Sequence, residues 1–437
     1  MTFHPTVTTA RSSVMLPSGW NTAWVAAKAA ALAGTGIARV AVIGDSWAAG
    51  QSSGTVTDVL TYGWPGRLDA LLRPAMGSYA QGYTIAGCNP GTLTSPSSPY
   101  GNSSLPNVVT TDGGIGQTWG TSTTGSTFVT ITAPVDPVTN AQPVSMDLFT
   151  VDFNTNSWQY TVDGGGAVTV TPASGTPPNG VNGTVGQGML RRTSITFTGA
   201  APHTVVVQQN GANALAISGH VTYYGTTGLG LFRAAVSGSK SIDFATGGGT
   251  TASSSGGNSI TPDHIVPWAG LNSGSTPAVN NIPVSLGAAG AFPFGGIDLA
   301  LVQLGGNDCL QGSSMYGTRN ALARFINALR RGNPATATSP GCSIVIIGEG
   351  FVSEYSDYST AAPATNYQWQ WYKSVCWEMA QAYGCAWIDL QEIFGEAALG
   401  RGLFSTSGTQ GHPTQNGGGT GGGDGHLVIA QALYGIL

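Results

Sequence analysis

The stretch Ala38-Arg39-Val40-Ala41-Val42-Ile43-Gly44-Asp45-Ser46 decides how this chain is read. Its apolar part is short and continuous rather than alternating, the pattern of a strand buried on both faces of a parallel sheet. Gly44-Asp45-Ser46 then ends the run. Upstream, residues 22–33 form an Ala-rich helical segment closed by Gly34. Downstream, Trp64-Pro65-Gly66-Arg67-Leu68-Asp69-Ala70-Leu71-Leu72 reads as a helix with Pro in its first turn, where its missing N–H costs nothing.

The same alternation resumes near residue 229. Apolar runs at 231–236, 297–304, 343–347 and 385–390 are separated by helical patterns at 318–331, 367–383 and 426–436. With the first run these make five strands with helices between them, which predicts a three-layer α/β/α fold around a five-stranded parallel sheet.

Between 100 and 228 the period changes. Thr127-Phe128-Val129-Thr130-Ile131-Thr132, Trp158-Gln159-Tyr160-Thr161-Val162, Thr193-Ser194-Ile195-Thr196-Phe197 and His203-Thr204-Val205-Val206-Val207 are short and β-branched, with Gly/Pro/Asn-rich turns between them. Asp163-Gly164 is a hairpin signal. An inserted antiparallel β-sandwich is expected there, resembling a carbohydrate-binding module in its strand pattern. The chain then divides into 1–99 and 229–437, the two parts of one α/β domain, and the insert 100–228. Residues 239–296 are long, Gly/Ser/Pro-rich and weakly periodic, and loops of that length are commonly functional.

Composition narrows the function classes. The 437 residues include 66 Gly and 24 Pro, and only 8% are charged, 15 Lys+Arg against 20 Asp+Glu for a net charge of −5. Disorder would suit the glycines, but 41% hydrophobic residues and 11 Trp argue for a packed core. Nucleic acid is excluded as an expected partner, because its binding needs clustered Lys and Arg. No run of 18 apolar residues exists, so no membrane-spanning helix is expected. Met1-Thr2-Phe3-His4-Pro5 lacks the basic and apolar regions of a signal peptide, so export would use another route. Five scattered cysteines (Cys88, Cys309, Cys342, Cys376, Cys385) do not make a disulfide framework, and Cys342 and Cys385 read as small buried hydrophobes. No His/Cys cluster has metal spacing, and the Gly-rich runs 247–249 and 417–423 lack the Lys-Ser/Thr of a phosphate loop. Neither a metal nor another cofactor is expected.

Open α/β sheets carry their sites at the carboxyl ends of strands. The residues there are Gly44-Asp45-Ser46-Trp47, Ser237-Gly238-Ser239 and Gly305-Gly306-Asn307-Asp308, and His412-Pro413-Thr414 precedes the last helix. Serine, glycine, asparagine and histidine in that order fit a serine hydrolase. Ser46 would be the nucleophile and His412 the general base. The N–H groups of Ser46 and Gly238 and the Asn307 amide would donate to the oxyanion.

These blocks resemble those of the SGNH/GDSL hydrolase superfamily, over about residues 22–75 and 229–437. The resemblance implies a flavodoxin-like domain and a cofactor-independent serine esterase. A narrower likeness lies in Trp20-Asn21-Thr22-Ala23-Trp24, the Ala-rich helix, Gly63-Trp64-Pro65 and the β insert. It resembles SGNH domains in minor tail proteins of phages that infect actinobacteria, implying a virion tail location and other tail proteins as partners.

The last block departs from the family, which places Asp three residues before the catalytic His. Here that position is Thr409, and the family's Gly-His-apolar run appears only at Gly425-His426-Leu427-Val428-Ile429-Ala430, after a Gly-rich insertion at 415–424. The acid that would hold the imidazole in its working tautomer is missing. A Ser–His dyad oriented by a backbone carbonyl or Thr409, a carboxylate recruited from Asp424 or Asp389, and a degenerate site all remain open. His426 reads as structural, His203 as a strand residue of the insert, and Asp308 as a partner that fixes its own loop. The expected function is hydrolysis of acyl or acetyl esters, with an acylated cell-envelope polysaccharide or a lipid ester as substrate. The alternative is a non-catalytic glycan-binding tail adhesin.

Overall fold

The computed structural model describes residues 13–50, 59–84, 100–101, 107–109, 118–120, 127–152, 157–171, 189–210, 216–235, 240–241, 296–310, 312–332, 341–349, 366–395, 403, 412–413 and 424–437. Its central sheet runs, in spatial order, Ala386–Asp389, Ser343–Gly348, Leu299–Gln303, Ile37–Gly44, Gly228–Ala235 and Ser78–Thr84, with every neighbouring pair parallel. The short strand Val14–Met15 adds antiparallel to the outer edge of Ala386–Asp389.

The parallel block therefore has six strands, not five. The additional one, Ser78–Thr84, has no continuous apolar run, because it sits at the border of the block and alternates buried with half-buried residues. Its Gly82 lies where a Cβ would come within 2.4 Å of the Phe232 ring, so close approach of the two strands requires glycine there.

Helices cover both faces. Along Ile37–Gly44, Val40 and Val42 point into a core shared with Trp24, Trp64, Leu68, Ile429 and Leu433, which come from helices Thr22–Leu32, Trp64–Met76 and Gly425–Ile436. Ala41 and Ile43 point the other way, toward Leu322, Phe325 and Val375 of helices Met315–Gly332 and Asn366–Ala382. That is the expected three-layer arrangement. Among the described residues no helix is long and apolar enough to cross a membrane.

The β region is less separate than an insert would be. Ala216–Tyr223 pairs antiparallel with Ser78–Thr84, Ser145–Asp152 with Ala216–Tyr223, and Met189–Thr196 with Ser145–Asp152, so the central sheet continues through it as one mixed sheet of 12 strands. A second, antiparallel sheet holds Val168–Val170, Trp158–Val162, His203–Gln209, Thr127–Ala133 and Tyr100–Gly101 in that order. Between them lies a core of Met146, Leu148, Ile195 and Phe197 from one side and Val129, Ile131, Trp158, Val205 and Val207 from the other. A sandwich forms, but one of its two sheets is an extension of the α/β sheet.

The junction is also ionic. Arg73, fully buried on helix Trp64–Met76, makes two-oxygen contact with Asp69 and lies 3.4 Å from Asp136, which follows the strand Thr127–Ala133. Asp136 in turn accepts from Ser78 Oγ at 2.6 Å. One guanidinium thereby ties helix, central sheet and β region together.

Candidate active site

The strand Ile37–Gly44 and its neighbour Leu299–Gln303 end in register, Gly44 opposite Gln303. A Cβ on Gly44 would lie 2.4 Å from the Gln303 carbonyl oxygen and 2.7 Å from Ala48 Cβ, so only glycine lets the chain turn sharply there. Asp45 and Ser46 follow. Asp45 Oδ1 accepts the Trp47 N–H at 3.0 Å, closing a tight turn that leaves Ser46, 6% exposed, at the strand end.

His412 reaches Ser46 from the far end of the chain. Its Nε2 lies 2.8 Å from Ser46 Oγ, although the two are 366 positions apart in sequence, and both side chains are buried. The His412-Pro413 segment packs on the start of helix Gly425–Ile436, where a Cβ on Gly425 would meet the Leu403 carbonyl oxygen at 2.2 Å and Pro413 Cβ at 3.0 Å. Gly425 thus permits the contact that holds the histidine segment in place. His426, beside it, is fully buried and accepts the Trp64 N–H through Nδ1 at 3.2 Å, the structural part expected of it. His203 is a strand residue, paired with Asp163 at 2.7 Å and stacked on Phe197.

Asn307 sits in the short helix Gly306–Leu310 after Leu299–Gln303, where Gly305 turns the chain at φ +122°. Its Nδ2 donates to Asp45 Oδ2 at 2.9 Å, which brings the Gly-Asp-Ser and Gly-Gly-Asn-Asp blocks into one constellation. Asp308 fixes its surroundings, as expected. It accepts from the Ser241 N–H at 2.7 Å, from Ser241 Oγ at 3.0 Å and from Thr318 Oγ1 at 3.0 Å. Gly238, like Thr409 and the long stretch 242–295, lies outside the described residues. Ser241, three positions on from Gly238, is the near end of that segment, and Asp308 pins it beside Asn307.

The carboxylates considered as replacements for the triad acid are engaged elsewhere. Asp424 caps the last helix by accepting the Leu427 N–H at 2.8 Å and pairs with Arg67 at 2.6 Å. Asp389 accepts from the N–H groups of Gln391 and Glu392 and pairs with Lys373 at 2.9 Å. Each is held by a helix start and a cation.

Close to Asp45 is a buried carboxyl that no motif marks. Glu349 follows Ser343–Gly348 directly, is buried, and is hydrogen-bonded to Asp45 and to the Gly306 N–H. Asp45, Glu349 and Asp308 are mutually close, and burial raises the pKa of all three. Asp45 is pushed up to about 7, chiefly by loss of solvent and against the pull of its donors. A signal for Glu349 existed: it is the first residue past the strand Ser343–Gly348, as Asp45 is past Ile37–Gly44. The cysteines Cys376 and Cys385 are buried and free, with burial pushing their thiols upward, which makes them poor nucleophiles.

Serine and asparagine thus stand at adjacent strand ends, with the histidine reaching the serine from the segment before the last helix. Residues 235–418 match the GDSL-like Lipase/Acylhydrolase family. The GDSL-like stretch contains Asn307, Glu349 and His412, while Gly44-Asp45-Ser46 lies upstream of it, separated by the β region and joined to it through the sheet. The fold is shared with a solved structure described as "Peptidoglycan O-acetylesterase in action, 5 min", at 14% identity, a TM-score of 0.61 and 97% coverage of each chain. Two others are a Corynascus thermopiles (Myceliophthora fergusii) carbohydrate esterase family 2 enzyme with a carbohydrate-binding domain (14% identity, TM-score 0.27, 72% of this chain and 95% of that one) and Est24, a carbohydrate acetylesterase from Sinorhizobium meliloti (11%, 0.29, 48% and 80%). No curated protein matches the chain. The family likeness thus covers the part of the chain that holds Asn307 and His412.

Proposed function

We propose that the chain is a serine esterase that removes acyl groups, acetyl foremost, from a cell-envelope glycan through an acyl-enzyme. The observation that carries the reading is the buried contact of 2.8 Å between His412 Nε2 and Ser46 Oγ. An imidazole there can take the hydroxyl proton as Ser46 attacks an ester carbonyl and return it to the leaving alcohol, after which water enters by the same route. The oxyanion is met by the Ser46 N–H, the Gly238 N–H and the Asn307 amide. Asn307 has two amide hydrogens, one spent on Asp45, and the second is the one assigned to the oxyanion. In this reading Ser46 and His412 carry the proton transfer between them.

The glycan is supported by the fold shared with a peptidoglycan O-acetylesterase and by the composition of the segments next to the site residues in sequence. Residues 239–296 and 415–424 are rich in Gly, Ser, Thr and Asn and poor in charge, which suits a neutral sugar better than a charged polymer. In this reading the β sandwich serves as a carbohydrate-binding platform. The likeness of Trp20–Trp24 and Gly63-Trp64-Pro65 to phage tail proteins supports a place in a virion tail, among other tail proteins. The non-catalytic adhesin gains nothing from a serine and a histidine held in proton-transfer contact.

Turnover of p-nitrophenyl acetate, and acetate release from O-acetylated peptidoglycan, by the wild type and Ser46→Ala test the reading. Loss of about 10⁴-fold or more in kcat in the variant is expected. Equal rates would overturn it, and a p-nitrophenyl ester series that favours long chains would replace the acetyl glycan with a lipid ester.

A further inference from the structure

Trp64 is fully buried at the start of the helix Trp64–Met76, in the Gly63-Trp64-Pro65 block that no step of the reaction uses. It is fastened at two points. The N–H groups of a first helical turn have no partner within the helix, and Gly63 has no side chain to cap them. His426 supplies an acceptor from another helix, its Nδ1 taking the Trp64 N–H at 3.2 Å. A backbone N–H can only donate, so Nδ1 carries no proton and the buried ring is neutral.

That bond bears on the base. His426 is the second residue of Gly425–Ile436, and Gly425 before it is the residue packed against Pro413, which follows His412. The two helix starts are joined again where Arg67 pairs with Asp424 at 2.6 Å. Trp64 thereby helps to fix the surface on which the His412 segment rests.

The indole bears on the nucleophile. Its Nε1–H donates to Gln303 Oε1 at 2.9 Å, and both side chains are fully buried. Gln303 is in register with Gly44, two residues before Ser46, and a Cβ on Gly44 would lie 3.2 Å from Gln303 Cβ. Because the indole can only donate, the amide turns its oxygen to it and leaves Nε2 buried with no hydrogen-bond partner among the described residues. An unpaired buried donor costs stability, and a Phe–Met pair would fill a similar volume with no polar group left over. Stability alone does not account for this bond.

Resting on the esterase reading above, we propose that Trp64 is a positioning residue of the catalytic pair. Its backbone N–H holds the helix start that supports His412, its indole N–H holds the strand end beside the turn to Ser46, and one residue thus sets the separation of base and nucleophile. Misplacement of reacting groups by about 1 Å costs on the order of 100-fold in rate, so two such anchors matter to catalysis.

Four proteins test this with p-nitrophenyl acetate: wild type, His426→Leu, His426→Asn and Trp64→Phe/Gln303→Met. His426→Leu removes the acceptor and should lose about 10- to 100-fold in kcat with KM within about twofold. His426→Asn puts a side-chain oxygen near the place of Nδ1 and should recover kcat to within about threefold of wild type. The double variant removes the indole bond without leaving either partner unpaired. It should melt within about 5 °C of wild type and still lose about 10-fold or more in kcat. Wild-type kcat in His426→Leu or in the double variant overturns the proposal, and so does His426→Asn as damaged as His426→Leu. A double variant whose kcat falls only together with its melting temperature shows a merely structural bond and overturns it too. Should His426→Leu fail to fold, the double variant decides alone. A wild type that neither hydrolyses the ester nor is labelled at Ser46 by a fluorophosphonate sinks the esterase reading itself, and the proposal with it. An active wild type with unimpaired variants sinks only the proposal.

Discussion

Two buried clusters of carboxylates, one at the β junction and one at the strand ends, teach different lessons. At the β junction, Asp69 and Asp136 share the buried guanidinium of Arg73, which also donates to the Leu229 and Ala80 carbonyls. At the strand ends, Asp45, Glu349 and Asp308 are buried with one another and are met mainly by neutral N–H and hydroxyl donors, Lys240 acting on Asp308 alone. The first cluster balances its charge and fastens two parts of the fold. In the second, burial raises the pKa of every member, and Asp45 is the residue just before the nucleophile. Buried charge paired with a cation holds structure, and buried charge without one shapes chemistry.

Removing Arg73 should break the first cluster. Arg73→Met leaves two carboxylates without their cation, and truncation of a buried pair costs about 3–5 kcal/mol. Urea unfolding should show that loss, and a shift under about 1 kcal/mol would mean the junction is held by sandwich packing instead.

The second cluster should appear in the pH dependence of stability. Asp45 is raised from 3.8 to about 7 in the folded state, so between those values the native protein holds more protons than the unfolded chain. Stability then falls as pH rises through that window, by an amount on the order of a few kcal/mol, the reverse of the usual salt-bridged aspartate. Chemical denaturation from pH 4 to 8 measures it. A curve that rises across the window contradicts a buried Asp45 that retains its proton.

The smallest effect sharpens the contrast from the side of the histidine. Asp424→Ala removes a helix cap and the Arg67 pair and should cost about 1–2 kcal/mol. Its kcat at neutral pH should stay within about threefold of wild type, and so should that of Asp389→Asn, since each carboxylate is held by a helix start and a cation. A drop approaching the ~10⁴-fold effect of losing a triad aspartate in one of them would assign it the role of the missing acid.

Much of this was written locally in the chain. Gly44-Asp45-Ser46, Gly305-Gly306-Asn307-Asp308 and His412-Pro413 can be located without a structure, because a strand end is marked by an apolar run that stops and a glycine that turns. The β region announces itself through short β-branched runs and Asp163-Gly164, the latter found in the turn with Asp163 at φ +52°. Ser78–Thr84 escaped because Gln81 and Gly82 interrupt its apolar pattern, and a border strand needs burial on only part of its surface. Glu349 escaped because a lone glutamate after a strand carries no pattern of its own.

The sequence by itself determined the layers of the fold, the order of the blocks and the residue types that could do ester chemistry, since each depends on periodicity or on turns a few residues long. Only the tertiary structure decided that His412 meets Ser46 from 366 positions away, that Asp389 and Asp424 are spent on helix starts and cations, that the sandwich shares the central sheet, and that Glu349 lies close to Asp45. Those are contacts between segments far apart in the chain. Their energies depend on burial and on which donors and charges happen to converge, and neither exists until the strands are aligned in register.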